Sequence, residues 1–262
     1  MDTHRRRAVA VVGAVVVGAT LVASTQASAS SSLYLSDVAA NAKTPGFSAP
    51  NVLSPQLAEL VVAQGANALE NPTAAIGSYG YDADGPFVAL PGGNVEAHKT
   101  EPDKNTYLVL HDQRGKDPAY DYGSHFLFQG HETGSPGYIT RINLDADGAH
   151  RVTLLATKDS SNANLPNFDG STWDPWAKRL LMTAENGNKG GVWQATLDVP
   201  STVDNLSNVL GKGGYEGIQN DDRGNVYIVE DSGGNAGGST SPNTKASKRP
   251  NSYIYRFLGT NL

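Results

Sequence analysis

From residue 73 onward, apolar and polar positions alternate in short runs broken by Gly, Asp and Asn. Runs of this length, rich in β-branched and aromatic residues, predict strands. They fall at 86–90, 106–111, 125–129, 138–143, 151–156, 179–183, 191–197, 225–229 and 252–258. Turn signatures divide them: Asp82-Ala83-Asp84-Gly85, Asp145-Ala146-Asp147-Gly148 and Asp221-Asp222-Arg223-Gly224-Asn225. The two Asp-Ala-Asp-Gly turns resemble half of a calcium loop but lack its distal glutamate, so they read as hairpin turns. One stretch has a different pattern. Ser54-Pro55 opens a Leu/Val/Ala-rich run to Glu70, and Asn71-Pro72 stops it. This predicts a helix capped by Ser54, with Leu57, Leu60 and Val61 on one face.

Many short strands with Gly/Asp turns suggest a sandwich, barrel or propeller. The stretch from Asn220 to Asp231 favours a propeller, because a polar turn leads into a strand that ends in Glu230-Asp231. The predicted strands fill little more than two blades of about four strands, against the usual four to eight blades. The expectation is therefore an all-β, propeller-like fold, incomplete in this chain, with one N-terminal helix. In this division residues 1–29 are a signal peptide and 30–72 an arm and helix. Residues 73–262 are the propeller-like domain, which contains a flexible Gly/Ser/Asn/Thr/Lys loop at 232–249.

The N-terminus has the three parts of an export signal. Arg5, Arg6 and Arg7 precede the apolar run Ala8–Val22, and Ala27-Ser28-Ala29 is a small-residue cleavage site. The arginine run also hints at the twin-arginine route. The expected location is secreted or extracytoplasmic. The 262-residue chain carries a formal charge of −6, and losing the leader removes three arginines but only Asp2, so the remainder is more acidic still. That balance argues against nucleic acid and anionic lipid as partners and suits divalent cations. There is no cysteine, which excludes disulfides and thiolate metal sites.

The candidate chemistry is acidic. Glu132, Glu185 and Glu230-Asp231 each follow an apolar strand, and Glu216 sits among glycines in Gly213-Gly214-Tyr215-Glu216-Gly217. A carboxylate at the rim of a sheet is partly withdrawn from water, and a cation removes the cost. Oxygen ligands without thiolates favour calcium or magnesium. The histidines lack metal spacing. His125 reads as a packed or surface residue, and His131 should point away from Glu132, its neighbour in an extended strand. Trp173 and Trp176, around Asp174-Pro175, read as core anchors. No nucleophile elbow, Walker loop or dinucleotide fingerprint is present.

These residues also occur in a telling order. Gly130-His131-Glu132 is followed by Trp173-Asp174-Pro175-Trp176 and Thr183-Ala184-Glu185-Asn186. Then come Tyr215-Glu216-Gly217, Val229-Glu230-Asp231 and Tyr253-Ile254-Tyr255-Arg256-Phe257. From Thr106 to Leu258 the succession resembles the PhoX-type alkaline phosphatase family. The resemblance implies an exported phosphomonoesterase on a propeller-like fold, with calcium and iron held in a central channel and a small phosphorylated substrate. It implies metal-binding roles for Glu132, Glu185, Glu216 and Asp231. The family's iron-ligand cysteine is missing, and Asp169 stands near its place, which points to calcium rather than iron. The family's phosphate-gripping arginine is also missing. Lys212 stands near that position, so the catalytic set would be Glu185, Glu216 and Lys212. Two alternatives use the same rim: a non-catalytic secreted calcium-binding propeller module, and a lactonase-type propeller hydrolase.

Overall fold

The computed structural model describes residues 34–39, 52–82, 88–89, 95–96, 100–133, 136–231, 235–236, 248–249 and 253–258. The signal peptide expected at 1–29 lies outside them, as does most of the loop expected at 232–249. The chain forms two compact units, one of residues 1–42 and 51–58, the other of 43–50 and 59–262. In the first, the Ser36 amide donates to Ser54 Oγ at 2.9 Å and Gln56 Nε2 donates to Ser36 Oγ at 3.0 Å.

The helix expected over 54–70 does not form. Ser54 binds Ser36 and Gln56 instead of capping a helix. Further along, backbone groups reach partners distant in sequence. The Leu69 amide donates to Gly77 O at 3.1 Å, and the Glu70 amide donates to Val152 O at 2.9 Å. Leu57, Leu60 and Val61 are exposed, so no apolar face exists to hold a helix. Residues 54–58 fall in the first unit and 59–70 in the second, where Glu70 is tied to the Val152 strand. The described helices are single turns at Gly187–Lys189 and Ser207–Leu210.

The second unit is built from three antiparallel sheets. β1 (Asn105–Val109), β2 (His125–His131), β3 (Tyr138–Asn143) and β4 (Val152–Ala156) form the first, in chain order. β5 (Ser171–Asp174), β6 (Arg179–Ala184), β7 (Gly191–Ala195) and β8 (Val203–Asn205) form the second in the same way. β9 (Tyr215–Asn220), β10 (Val226–Glu230) and β11 (Ile254–Phe257) form the third. Two-residue ladders also pair Val88–Ala89 with Val95–Glu96, and Asn235–Ala236 with Lys248–Arg249.

Each sheet is a meander that pairs its strands antiparallel in chain order, and several of the connections are short polar turns. In the β3–β4 turn, Asp145 accepts from the Ser124 and His125 amides, and Asp147 accepts from those of Ala149 and His150. In the β9–β10 turn, Asp221 accepts from the Arg223 and Asn225 amides, and Gly224 supplies a φ of 79°. The Asp145 and Asp221 motifs are therefore hairpin turns, as their sequences predict.

The sheets stack face to face on apolar layers. Phe126, Phe128, Ile139 and Leu155 of the first sheet meet Leu180, Met182 and Trp193 of the second. Leu181 and Val192 meet Tyr215, Ile218 and Ile228 of the third. The outer face of the first sheet is covered by Leu69, Ile76 and Tyr79. Full burial of each such side chain contributes about 1.5–3 kcal/mol. Trp193 is the buried tryptophan. Trp176 is 55% exposed and Trp173 only partly buried, so the core role expected for both is not observed. Asp174 shapes their turn by accepting from the Trp176 and Ala177 amides.

A buried polar network pins the first sheet. Arg141 is fully buried, with its guanidinium 5.4 Å from the Tyr122 ring centre and 5.1 Å from that of Phe126. It donates to Thr153 Oγ1 at 3.1 Å and stands 4.0 Å from the Glu70 carboxylate. Glu70 in turn accepts from the Tyr122 hydroxyl at 2.6 Å and from the Thr153 hydroxyl.

Candidate acidic site

The opening strands of the three meanders lie against one another, β1 beside β5 and β5 beside β9. Between them several hydroxyl and amide side chains make the contacts. Thr106 Oγ1 is 2.8 Å from Ser171 Oγ, and Thr172 Oγ1 donates to Asn220 Oδ1 at 3.0 Å. Thr183 donates to the Glu216 carbonyl, and its Oγ1 accepts from the Gly170 amide at 2.9 Å. A Cβ on Gly170 would lie 2.1 Å from Glu216 O, so glycine is needed for this approach.

This packing fixes one rim. In an antiparallel meander the start of the first strand adjoins the end of the second: Asn105 pairs with Gln129, Ser171 with Met182 and Tyr215 with Glu230. Each of these junctions carries two acids. Asp103 precedes β1 and Glu132 follows β2; Asp169 precedes β5 and Glu185 follows β6; Glu216 is the second residue of β9 and Asp231 follows β10. Glu101 adds a seventh carboxylate, held opposite Glu132 by an isolated bridge.

The carboxylates interact. Asp169 is pushed up to about 7, first by burial and then by Asp103, Glu185, Glu216 and Glu132. Burial, followed by Glu185, Asp103 and Glu101, raises Glu132. Glu185 is raised by burial and then by Asp231, Glu216 and Asp103, partly relieved by a hydrogen bond with Asp169. Asp103 is raised by burial, Glu101 and Glu216. A cleft of about 440 Å³ opens here, lined by Asp103, Lys104, Asp169, Gly170, Glu216, Gly217 and Val229. Lys104 donates to Ile218 O at 2.9 Å and to Gln219 Oε1 at 3.3 Å, and burial lowers its pKa.

Glu132, Asp169, Glu185, Glu216 and Asp231, all singled out from the sequence, thus share one rim. Of these, Asp169 and Glu216 line the cleft; Glu132, Glu185 and Asp231, like Lys212, are not among its lining residues. Lys212 is exposed in the loop before β9, and the cation in the cleft is Lys104. Glu101, Asp103 and Lys104 carry no comparable signal in the sequence, because no apolar run leads into them. His131 lies on the other side of its strand from this rim. It is fully buried against Tyr138 at 4.0 Å, bonded to Thr140 Oγ1 at 2.8 Å and pushed down to about 3 by burial. His125 is a surface residue, 3.0 Å from Asp145.

The donors are oxygen only, which suits a hard divalent cation. Among the described residues, no three His, Asp or Glu side chains are gathered closely enough to hold a metal ion as they stand. Closure around an ion would therefore need rotation of side chains, within the reach of the longer glutamates. No protein-family model, no curated protein and no solved structure matches the chain. Among the described residues, no helix is long and apolar enough to cross a membrane.

Proposed function

We propose that the chain is an exported, calcium-dependent phosphomonoesterase whose three meanders are propeller-like blades around the acidic rim. One observation carries this reading: each meander places one acid at or just before the start of its first strand and another after its second, and burial together with Asp103, Glu185, Glu216 and Glu132 pushes Asp169 up to about 7. Packed carboxylates that raise one another store repulsion that a divalent cation relieves. Glu132, Glu185, Glu216 and Asp231 would hold the cation, with Asp103 and Asp169 completing the donor set. Bound there, calcium would neutralise phosphoryl oxygens and favour attack at phosphorus. The residues of the chain itself position the rim: Thr183 and Gly170 lock β5, β6 and the start of β9 together.

The test is hydrolysis of a chromogenic phosphomonoester at alkaline pH with calcium, with chelator, and for Glu185→Gln. Activity that requires calcium and is lost in the variant supports the reading. Activity indifferent to both overturns it.

A second reading, a secreted calcium-binding module without catalysis, is favoured by the spread of the carboxylates, none of which form a ready three-ligand group. Calcium that raises thermal stability without any hydrolysis would select it.

A further inference from the structure

The cleft has one feature that a purely cation-holding rim does not need. Among its lining residues Lys104 is the single cation, beside Asp103, Asp169 and Glu216. A lysine present only to neutralise these acids would pair with them. Lys104 instead donates to two neutral oxygens of β9, Ile218 O at 2.9 Å and Gln219 Oε1 at 3.3 Å. Its partners fix the ammonium between β1 and β9 without discharging it. An ammonium carries three donors, and these two bonds engage two of them.

Around this charge the cleft is shaped to admit a ligand. Gly170 and Gly217 contribute no side chains to its wall, and Val229 contributes an apolar one. Its volume of about 440 Å³ suits a small molecule. A ligand seated here would meet carboxylates, an ammonium held by neutral oxygens and a valine.

We propose that Lys104 is the oxyanion-gripping residue of this cleft, binding the phosphoryl group of a small phosphomonoester whose organic part lies toward Val229. This deepens the phosphatase reading and rests on it, because an anion can enter only after a cation has neutralised the rim. It gives to Lys104 the role that the family resemblance implied for Lys212. Lysine grips as a point charge, without the bidentate fork of arginine. The grip should therefore set affinity more than the rate of the bound complex.

The experiment is titration of inorganic phosphate into the calcium-loaded full chain by calorimetry, alongside steady-state kinetics, for wild type, Lys104→Met, Lys104→Gln, Lys104→Arg and Lys212→Met. Loss of one charge-assisted bond should weaken phosphate binding of Lys104→Met by roughly tenfold or more. Lys104→Arg should restore part of that loss, and Lys212→Met should stay within about twofold of wild type. Any hydrolysis should show the loss as a higher KM. Lys104→Gln keeps a donor for Ile218 O and removes the charge, so it separates charge from packing if the methionine variant misfolds.

Wild-type affinity in a folded Lys104→Gln overturns the proposal, as does a wild-type chain that binds no phosphate with calcium present. Calcium-dependent hydrolysis with an unchanged Lys104→Gln KM would sink the lysine assignment and leave the phosphatase reading standing. Lys104-dependent phosphate binding without hydrolysis would do the reverse.

Discussion

Glu101 and Glu132 face each other across an isolated antiparallel bridge, the Glu101 amide donating to Glu132 O at 2.9 Å and the Glu132 amide to Glu101 O at 3.1 Å. Two like charges are held in register by the backbone that joins them. Opposed like charges destabilise a strand pair by roughly 0.2–1 kcal/mol. Glu101→Gln should therefore raise the thermal midpoint in chelator. The gain should shrink when calcium is added, and calorimetry in both conditions checks it.

Asp169 gives the rim a definite pH dependence. A carboxyl whose folded pKa exceeds its unfolded value holds its proton more tightly in the folded protein. Its contribution is then complete below the usual carboxylate range and is lost as pH rises towards about 7. In chelator, stability should fall across that window. Asp169→Asn should flatten the fall, and calcium should offset it in the native chain. Midpoints measured against pH decide the matter, and an unchanged slope in Asp169→Asn would contradict it.

His131 acts in the opposite direction. Burial pushes its pKa down to about 3, so between there and the ordinary value near 6.5 the unfolded chain binds the extra proton. Its contribution is full at neutral pH and is lost as pH falls, by up to about 1.4 kcal/mol per pH unit. The imidazole signals of His131 should stay those of a neutral ring until the protein unfolds in acid.

Gly170→Ala should be among the most damaging small substitutions. The added carbon would meet Glu216 O at 2.1 Å and Thr183 Oγ1 at 2.7 Å. Relief requires parting β5 from β9, at a cost of about 1–3 kcal/mol or more, and the calcium response should weaken with it. Gly148→Ala is the control, since nothing lies within 4 Å of its added carbon. Urea unfolding of the two variants makes the comparison.

The Glu70–Arg141 network predicts strong non-additivity. Removing Glu70 leaves a fully buried guanidinium without its carboxylate, and breaking such a pair typically costs about 3–5 kcal/mol. Glu70→Ala should lose about that much. The double variant Glu70→Gln/Arg141→Met should lose less than the sum of its single changes, as a double-mutant cycle would measure.

Legibility in the sequence followed burial. β3 was readable to the residue, and β2, β4, β6 and β10 nearly so, because their apolar runs serve cores on one or both faces. β5 and β9 were missed. Ser171-Thr172 and Glu216-Gly217 pack through hydroxyls and backbone, leaving no apolar alternation to detect. The helix at 54–70 was misread because local capping signals say nothing of the distant carbonyls that take the Leu69 and Glu70 amides. At the rim, Glu132, Glu185 and Asp231 were legible because they follow apolar runs, Glu216 because it stands among glycines and Asp169 through the family resemblance, whereas Asp103 carries no such signal. Asp103 is as much a rim residue as Glu132 because chain direction reverses between β1 and β2, a relation that only strand pairing reveals.

The distribution of the rim acids has a kinetic consequence. Each meander pairs neighbouring strands and can form from contacts local in sequence, but the full set of charges meets only when the third meander docks and Glu216 and Asp231 arrive. If the third meander docks last, the share of the repulsion due to Glu216 and Asp231 is met only at that stage of folding. Neutralising these acids, by substitution or by an ion, should slow the opening of the finished protein far more than it hastens its formation.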